Sequence, residues 1–332
     1  MKDRFKGLGV WALPLSWIYG LGVSCHRAIY MMGILPQYRA AKPVVSIGNI
    51  TVGGVGKTPM TVWVAKQYLA KGLQVAIVLR GYKSVDGVSD EAQLLRELLP
   101  NVQVLVGANR RQSIEQALSN NPVDVFICDD AFQHWPLKRD LDIVLIDSTY
   151  PFGNRMLLPA GILREPISAL KRVKVLVITK SDDDKPAQAL VERLKTINQI
   201  VIVRARHRLD GVRDIITRQS IECKPQEKVL AVSSIADPSS FARTLAVMGF
   251  HVVNHVVFSD HEPYTAVMVN HIVDQAKQLG VTTIVTTHKD AVKIVPFQSL
   301  FSQVRIVCVD IQMNILDGEQ ALVDQLMAVI HA

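Results

Sequence analysis

Val44-Val45-Ser46-Ile47-Gly48-Asn49-Ile50-Thr51-Val52-Gly53-Gly54-Val55-Gly56-Lys57-Thr58-Pro59 decides the fold. An apolar, β-branched run enters a glycine-rich turn, and the turn delivers Gly56-Lys57-Thr58 to the start of a helix. This is the layout of a phosphate-binding loop. Glycines let successive backbone N–H groups face phosphate oxygens, and a helix N-terminus adds partial positive charge. Residues Thr51, Val52, Gly53, Gly54, Val55 and Gly56 would wrap the phosphates, Lys57 would reach the outer ones, and Thr58 would place its hydroxyl on Mg²⁺. Thr51 stands where the usual pattern has Gly, so an ordinary glycine-rich strand–helix turn is the plain alternative. Pro59 suits a first helical turn, where its missing N–H is not needed. The helix should run from Thr58 to about Lys71, with Gly72 ending it.

Working outward, strands and helices alternate. Gln74 to Leu79 reads as a strand, Glu91 to Leu98 as a helix, Asn101 to Val106 as a strand, and Arg110 to Ser119 as a helix. Val123 to Asp130 is an apolar strand closing on two acids, Asp129 and Asp130, about seventy residues after the loop. A carboxylate at such a strand end serves Mg²⁺ in phosphate-loop proteins. Leu141 to Asp147, Val173 to Ile178 and Gln199 to Val203 add further strands. This pattern predicts an α/β fold, a mostly parallel sheet with helices on both faces and its ligand at the carboxyl ends of the strands. Between strands lies a long Pro- and Gly-punctuated loop, Pro151 to Pro166. Its Arg164 is the side chain best able to hold phosphate; pairing with Glu165 is the plain alternative. Thr179-Lys180-Ser181-Asp182 resembles a guanine-reading element and keeps GTP open as the nucleotide.

From Arg204 to Lys228 charges are dense and periodicity looks poor, which suggests a junction. The domains expected are 1–35 as an N-terminal membrane-associating segment, 36–204 as the phosphate-loop domain, 205–228 as a linker and 229–332 as a smaller second αβ domain. In that second domain strands are expected at Val229 to Ser233, Val252 to Phe258, Thr283 to Thr287 and Arg305 to Val309. Helices should run from Ser239 to Met248, from near Pro263, and from Asp317 to His331. The last helix could pack back on the first domain. His261 sits at a strand-to-helix junction, where a capping role and an active role are both open.

The chain has 332 residues, with 37 basic and 30 acidic side chains, a net charge of +7 that suits anionic partners. No basic run is interleaved with aromatics, so nucleic acid is not expected. The four cysteines lack any CxxC spacing, which argues against metal-thiolate or disulfide frameworks, and Cys128 and Cys308 fall in apolar strands as core residues. The N-terminus carries nineteen uncharged residues, Gly7 to Cys25, between basic flanks. Pro14 and the glycines weaken a membrane-spanning helix; a secretory or lipoprotein signal sits poorly with a cytosolic nucleotide site. A helix lying in the membrane interface is preferred, with a buried core helix as the alternative.

These motifs together resemble the tetraacyldisaccharide 4′-kinase family of lipid A biosynthesis. The resemblance covers nearly the whole chain: Pro14-Leu15-Ser16-Trp17-Ile18-Tyr19-Gly20, the 48–59 loop with its Thr51, Arg80-Gly81-Tyr82, Asp129-Asp130-Ala131-Phe132-Gln133-His134, Leu158 to Pro166, Phe258-Ser259-Asp260-His261 and Lys289-Asp290-Ala291-Val292-Lys293. It implies an ATP- and Mg²⁺-dependent kinase at the cytoplasmic face of the inner membrane, acting on the 4′-hydroxyl of an acylated glucosamine disaccharide 1-phosphate. It further implies two αβ domains joined by a short β hinge, and an N-terminal helix on the membrane surface. By position, Lys57 and Thr58 bind the phosphates and metal, Asp129 and Asp130 serve the metal, and Arg164 steadies phosphate. Asp90 and His261 resemble the pair that activates the attacking hydroxyl; the pair is divided between the two expected domains, which predicts closure on binding. Departures include Ser89-Asp90-Glu91-Ala92 for the acid's usual context, Ala131 for Gly, and His288 before Lys289 where Glu is usual. A GTPase or nucleotide switch at a membrane surface is the rival reading.

Overall fold

The computed structural model describes residues 10–81, 89–181, 184–195, 200–222, 224, 226–235, 237–260, 262–301 and 304–331. In chain order its elements are α1 (Leu13–Met31), β1 (Val44–Asn49), α2 (Lys57–Ala70), β2 (Val75–Leu79), α3 (Asp90–Leu98), β3 (Gln103–Val106), α4 (Arg110–Asn120), β4 (Val125–Asp129), β5 (Leu141–Asp147), β6 (Val175–Thr179), α5 (Asp184–Lys195) and β7 (Val201–Asp214). There follow β8 (Ser220–Ile221), β9 (Lys228–Ser233), α6 (Pro238–Val247), β10 (His251–Val257), α7 (Ala266–Gln278), β11 (Thr283–Thr287), α8 (His288–Ile294), β12 (Arg305–Asp317) and α9 (Glu319–Ile330).

The chain forms two compact units. Unit one comprises residues 1–82, 95–207 and 313–332; unit two comprises 83–94 and 208–312. The stretch 83–94, which includes Asp90, therefore groups with unit two, while α9 belongs to unit one, where the Tyr68 hydroxyl donates to the Leu326 carbonyl.

In unit one the strand order is β7-β6-β5-β1-β4-β2-β3, and every neighbouring pair is parallel. β1, β2, β4 and β6 are buried at every position. Both faces being covered explains why these strands read as continuous apolar runs rather than alternating ones. One core packs Ile50, Phe132, Val144, Leu163, Leu176 and Ile178 together; another packs Val44, Val78, Ile114 and Phe126.

In unit two the parallel order is β10-β9-β11-β12, and β8 pairs antiparallel with the far end of β7. Its core includes Leu230, Val232, Val269, Ile284 and Ile306.

Three expectations need correction. The run after Gln199 is a regular strand through Asp214 rather than irregular chain, and the break between the two units, 207/208, falls inside it. It does alternate: Arg204, Arg206 and Arg208 share one face, while Val203, Ala205, His207 and Leu209 share the other. β12 likewise continues to Asp317 rather than ending at Val309. α7 opens at Ala266, capped by the Thr265 hydroxyl, rather than at Pro263.

Pro14 lies in the first turn of α1, where it is tolerated. Among the described residues no helix is long and apolar enough to cross a membrane. The inward face of α1 is anchored by Ser16, whose hydroxyl donates to the Leu157 carbonyl and accepts from the Ala160 N–H. Its outer face leaves Leu15, Trp17, Ile18 and Leu21 in solvent, with Trp11 just ahead at 92 % exposure.

Candidate active site

The loop between β1 and α2 leaves a helix start open to a ligand. Gly56 is the N-cap of α2 in a left-handed conformation (φ 91°), and no side chain caps the helix. Its first N–H groups therefore lack an intrahelical partner and are available to an anion. Gly53 is also left-handed, at φ 119°. The rest of the loop is pinned from below. Val55 is buried, and its carbonyl accepts from the Thr179 hydroxyl at 2.9 Å.

The loop is also braced sideways by the 151–166 segment. Thr51 is buried and forms a bridge with Leu163, the Val52 N–H donates to the Ile162 carbonyl at 2.8 Å, and the Arg164 N–H donates to the Ile50 carbonyl at 2.7 Å. Thr51 thus occupies a strand-like position that needs no glycine. The same segment carries the Ser16 contacts, and the Tyr19 hydroxyl donates to the Arg164 carbonyl. Helix α1 is thereby tied to the phosphate loop's own brace.

Gly56 is where glycine is required. An added Cβ would lie 2.7 Å from His207 Nε2, and the φ is one that other residues adopt at a penalty of about 1–2 kcal/mol. Gly56→Ala is expected to lower stability by that amount and to weaken nucleotide binding tenfold or more. Urea unfolding and nucleotide titration would check both; a variant equal to the native protein in each would show that the conformation is not needed.

Lys57 opens α2. Its ammonium stands 3.4 Å from Asn49 Oδ1 and 3.6 Å from Asp130 Oδ1. Asp129 ends β4 and Asp130 follows it in the left-handed region (φ 47°), a conformation Asp tolerates. Asp129 is buried, and its carboxylate accepts from the Thr61 hydroxyl at 3.4 Å. Arg164 Nη1 lies 2.9 Å from both oxygens of Asp130. The Arg164–Glu165 pairing is not seen: Glu165 is buried and bound by Arg172 at 2.8 Å. Burial raises the pKa of Asp130, but the charges of Lys57 and Arg164 outweigh it and hold the carboxyl below its ordinary value. It stays ionised at physiological pH.

Sequence reasoning missed Arg110 as a site residue. It is buried at the start of α4, and its Nη2 donates to the carbonyls of Asp129 (2.6 Å) and Asp130 (3.1 Å). A buried arginine fixing two main-chain carbonyls sets the acidic turn. The only sequence signal was an Arg-Arg pair at a helix start. His134, in the same region, has its pKa lowered to about 4 by burial and by Arg110 and Arg139, so it is neutral at pH 7.

Lys57, Arg110 and Arg164 thus face Asp129 and Asp130, three cations to two carboxylates. The surplus favours a multiply charged anion. Thr58, half-buried on the first turn of α2, adds a hydroxyl. Oxygen donors from two carboxylates and a hydroxyl are the set a hard cation such as Mg²⁺ takes. Asp90 begins α3 and groups with unit two. His261 lies outside the described residues. Of the guanine-like element, Asp182 does too, and the Lys180 ammonium is held by Asp147 at 2.7 Å.

A parallel α/β sheet with an uncapped, glycine-led helix start and an Asp–Lys–Arg cluster defines a phosphate-loop nucleotide-binding protein. Residues 8–331 match the model of the tetraacyldisaccharide-1-P 4′-kinase family, and the chain belongs to that family. The tetraacyldisaccharide 4′-kinase of Chlorobium luteolum is 35 % identical, covering 98 % of this chain and 99 % of its relative. That of Anaeromyxobacter dehalogenans is 36 % identical over 90 % of this chain and 85 % of its own. A crystal structure of LpxK from Aquifex aeolicus in complex with ATP superposes with a TM-score of 0.76 at 26 % identity, covering 96 % of this chain and 98 % of that one.

Proposed function

We propose that this chain transfers the γ-phosphoryl group of ATP to the 4′-hydroxyl of a tetraacylated glucosamine disaccharide 1-phosphate. The observation that carries the reading is the Lys57–Asp130–Arg164 cluster beside the uncapped start of α2. Phosphoryl transfer needs positioning and charge neutralisation more than covalent chemistry. The N–H groups of residues 53–58 bind phosphate oxygens, Lys57 neutralises the outer phosphates, and Arg164 can leave Asp130 for the transferred group. Thr58, Asp129 and Asp130 hold Mg²⁺, which when bound neutralises charge on the phosphates.

Asp90 and His261 together take the proton of the attacking hydroxyl. This assignment rests on the family resemblance. His261→Ala is expected to lower kcat about 10²–10⁴-fold, the usual span for general base catalysis. An unchanged kcat in a folded variant would remove His261 from the mechanism.

The outer face of α1, with Leu15, Trp17, Ile18 and Leu21, lies in the headgroup region of the inner membrane's cytoplasmic leaflet. Residues 1–35 act as the membrane segment, 36–204 as the kinase domain and 229–332 as the second domain, with 205–228 as hinge. The site's tie to α1 through Ser16 and Tyr19 then sets it close to a lipid acceptor.

The test is ATP turnover by the detergent-solubilised protein with and without the acylated disaccharide 1-phosphate. Label passing from γ-phosphate to lipid only when the acceptor is present supports the reading. Turnover indifferent to lipid, or specific for GTP, favours a nucleotide switch.

A further inference from the structure

We propose that unit two binds one divalent transition ion of the zinc class through His288, Cys308 and Asp310. The topology brings the three together. Cys308 and Asp310 are two apart on β12, so both side chains project from one face. β11 lies alongside in parallel register, pairing Thr286 with Cys308 and Thr287 with Val309, and His288 follows at once as the first residue of α8. One ligand atom from each residue lies within 4.8 Å of the other two. Tetrahedral bonds to sulfur, nitrogen and oxygen set ligand separations of about 3.3–3.8 Å, so only a small contraction is needed.

His288 Nδ1 stands 3.1 Å from Asp310 Oδ1, which already sets a nitrogen and an oxygen donor at the spacing of two ligands on one ion. The other oxygen of Asp310 is held by Arg213. That leaves the carboxylate fixed and monodentate, the orientation outer partners give to metal ligands. Asp310 and Cys308 are buried, and His288 is partly open, which leaves a path for entry.

The donor set chooses the ion. A thiolate, an imidazole and a carboxylate suit Zn²⁺ or Co²⁺, and do not suit Mg²⁺ or Ca²⁺. Binding replaces the Cys308 S–H bond with a metal–sulfur bond and releases that proton to solvent. Two anionic ligands then balance the ion's charge.

The experiment uses the full-length, metal-free protein and Co²⁺ under anaerobic conditions. One equivalent is expected to produce the near-ultraviolet thiolate-to-cobalt charge-transfer band, and Zn²⁺ should bleach it. Cys308→Ser should abolish the band, His288→Glu should weaken Co²⁺ binding at least tenfold, and a Cys25→Ser, Cys223→Ser double variant should keep it. Circular dichroism of each variant guards against loss of fold. Cobalt held only by the oxygen ligands of the phosphate site gives no such band. Its absence in the native protein, or its survival in a folded Cys308→Ser variant, overturns the proposal.

Discussion

Lys57→Ala lowers kcat by about 10³-fold while leaving the protein folded. Lys57 contributes a preorganised charge at the start of α2, 3.6 Å from Asp130 and 3.4 Å from Asn49. Removing one such group from a phosphate or oxyanion site typically raises the barrier by about 3–4 kcal/mol. Its contribution to folding is small, because Asp130 keeps its contact with Arg164 at 2.9 Å. Lys57→Arg should recover less than tenfold of the loss. A planar fork cannot replace a compact ammonium in a pocket set by Asn49 and Asp130. Single-turnover transfer of labelled γ-phosphate, with thermal unfolding alongside, measures both sides of the claim. A kcat within tenfold of native would show that Arg110 and Arg164 already neutralise the phosphates.

The phosphate loop was legible because its signals are local. Glycines, Lys57 and Thr58 stand within a few residues of a strand and a helix start, and the buried strands announce themselves as apolar runs. The two acids at the end of β4 were legible for the same reason. What is encoded over long distances was not. Arg164 could be picked out as an arginine in a loop, but its partner Asp130 lies 34 positions away in sequence. Arg110 was harder still, since its partners are main-chain carbonyls that carry no sequence identity. The charged half of β7 reads as irregular chain because arginines on its outer face mask its alternation, although the break between the two units does fall there. That strand borders the rest through pairing, not through an apolar run, so composition alone argued for a linker. Helix α1 was legible as a helix, whereas the role of Ser16 was not. A lone serine among apolar residues gives no hint that it seats against Leu157 and Ala160.

The second large effect concerns unit two. Asp290 is fully buried on the first turn of α8. One oxygen accepts from the Ser234 N–H at 2.9 Å and from the Thr287 hydroxyl at 2.7 Å. The other accepts from the Ser234 hydroxyl and pairs with Lys293 at 3.0 Å. Thr287 in turn caps Asp290's own N–H, a reciprocal arrangement like a capping box. Lys293 also donates to the Glu262 carbonyl and lies over the Tyr264 ring. Removing one partner of a buried pair strands the other's charge, and such changes lower stability by about 3–5 kcal/mol. Asp290→Ala is therefore expected to shift the urea midpoint of unit two strongly downward. The double change Asp290→Leu, Lys293→Met removes both charges and should recover a large part of that loss. If the single variant falls within about 1 kcal/mol of native, solvent reaches Lys293 and the pair is not buried in the sense that matters. The pair also bears on function. Lys293 fixes the carbonyl of Glu262, the residue that follows His261, so the folded double variant should still lose kcat. Its KM for ATP should stay near native, because no residue of the phosphate loop is touched. That split separates a loss of positioning in unit two from a general loss of fold.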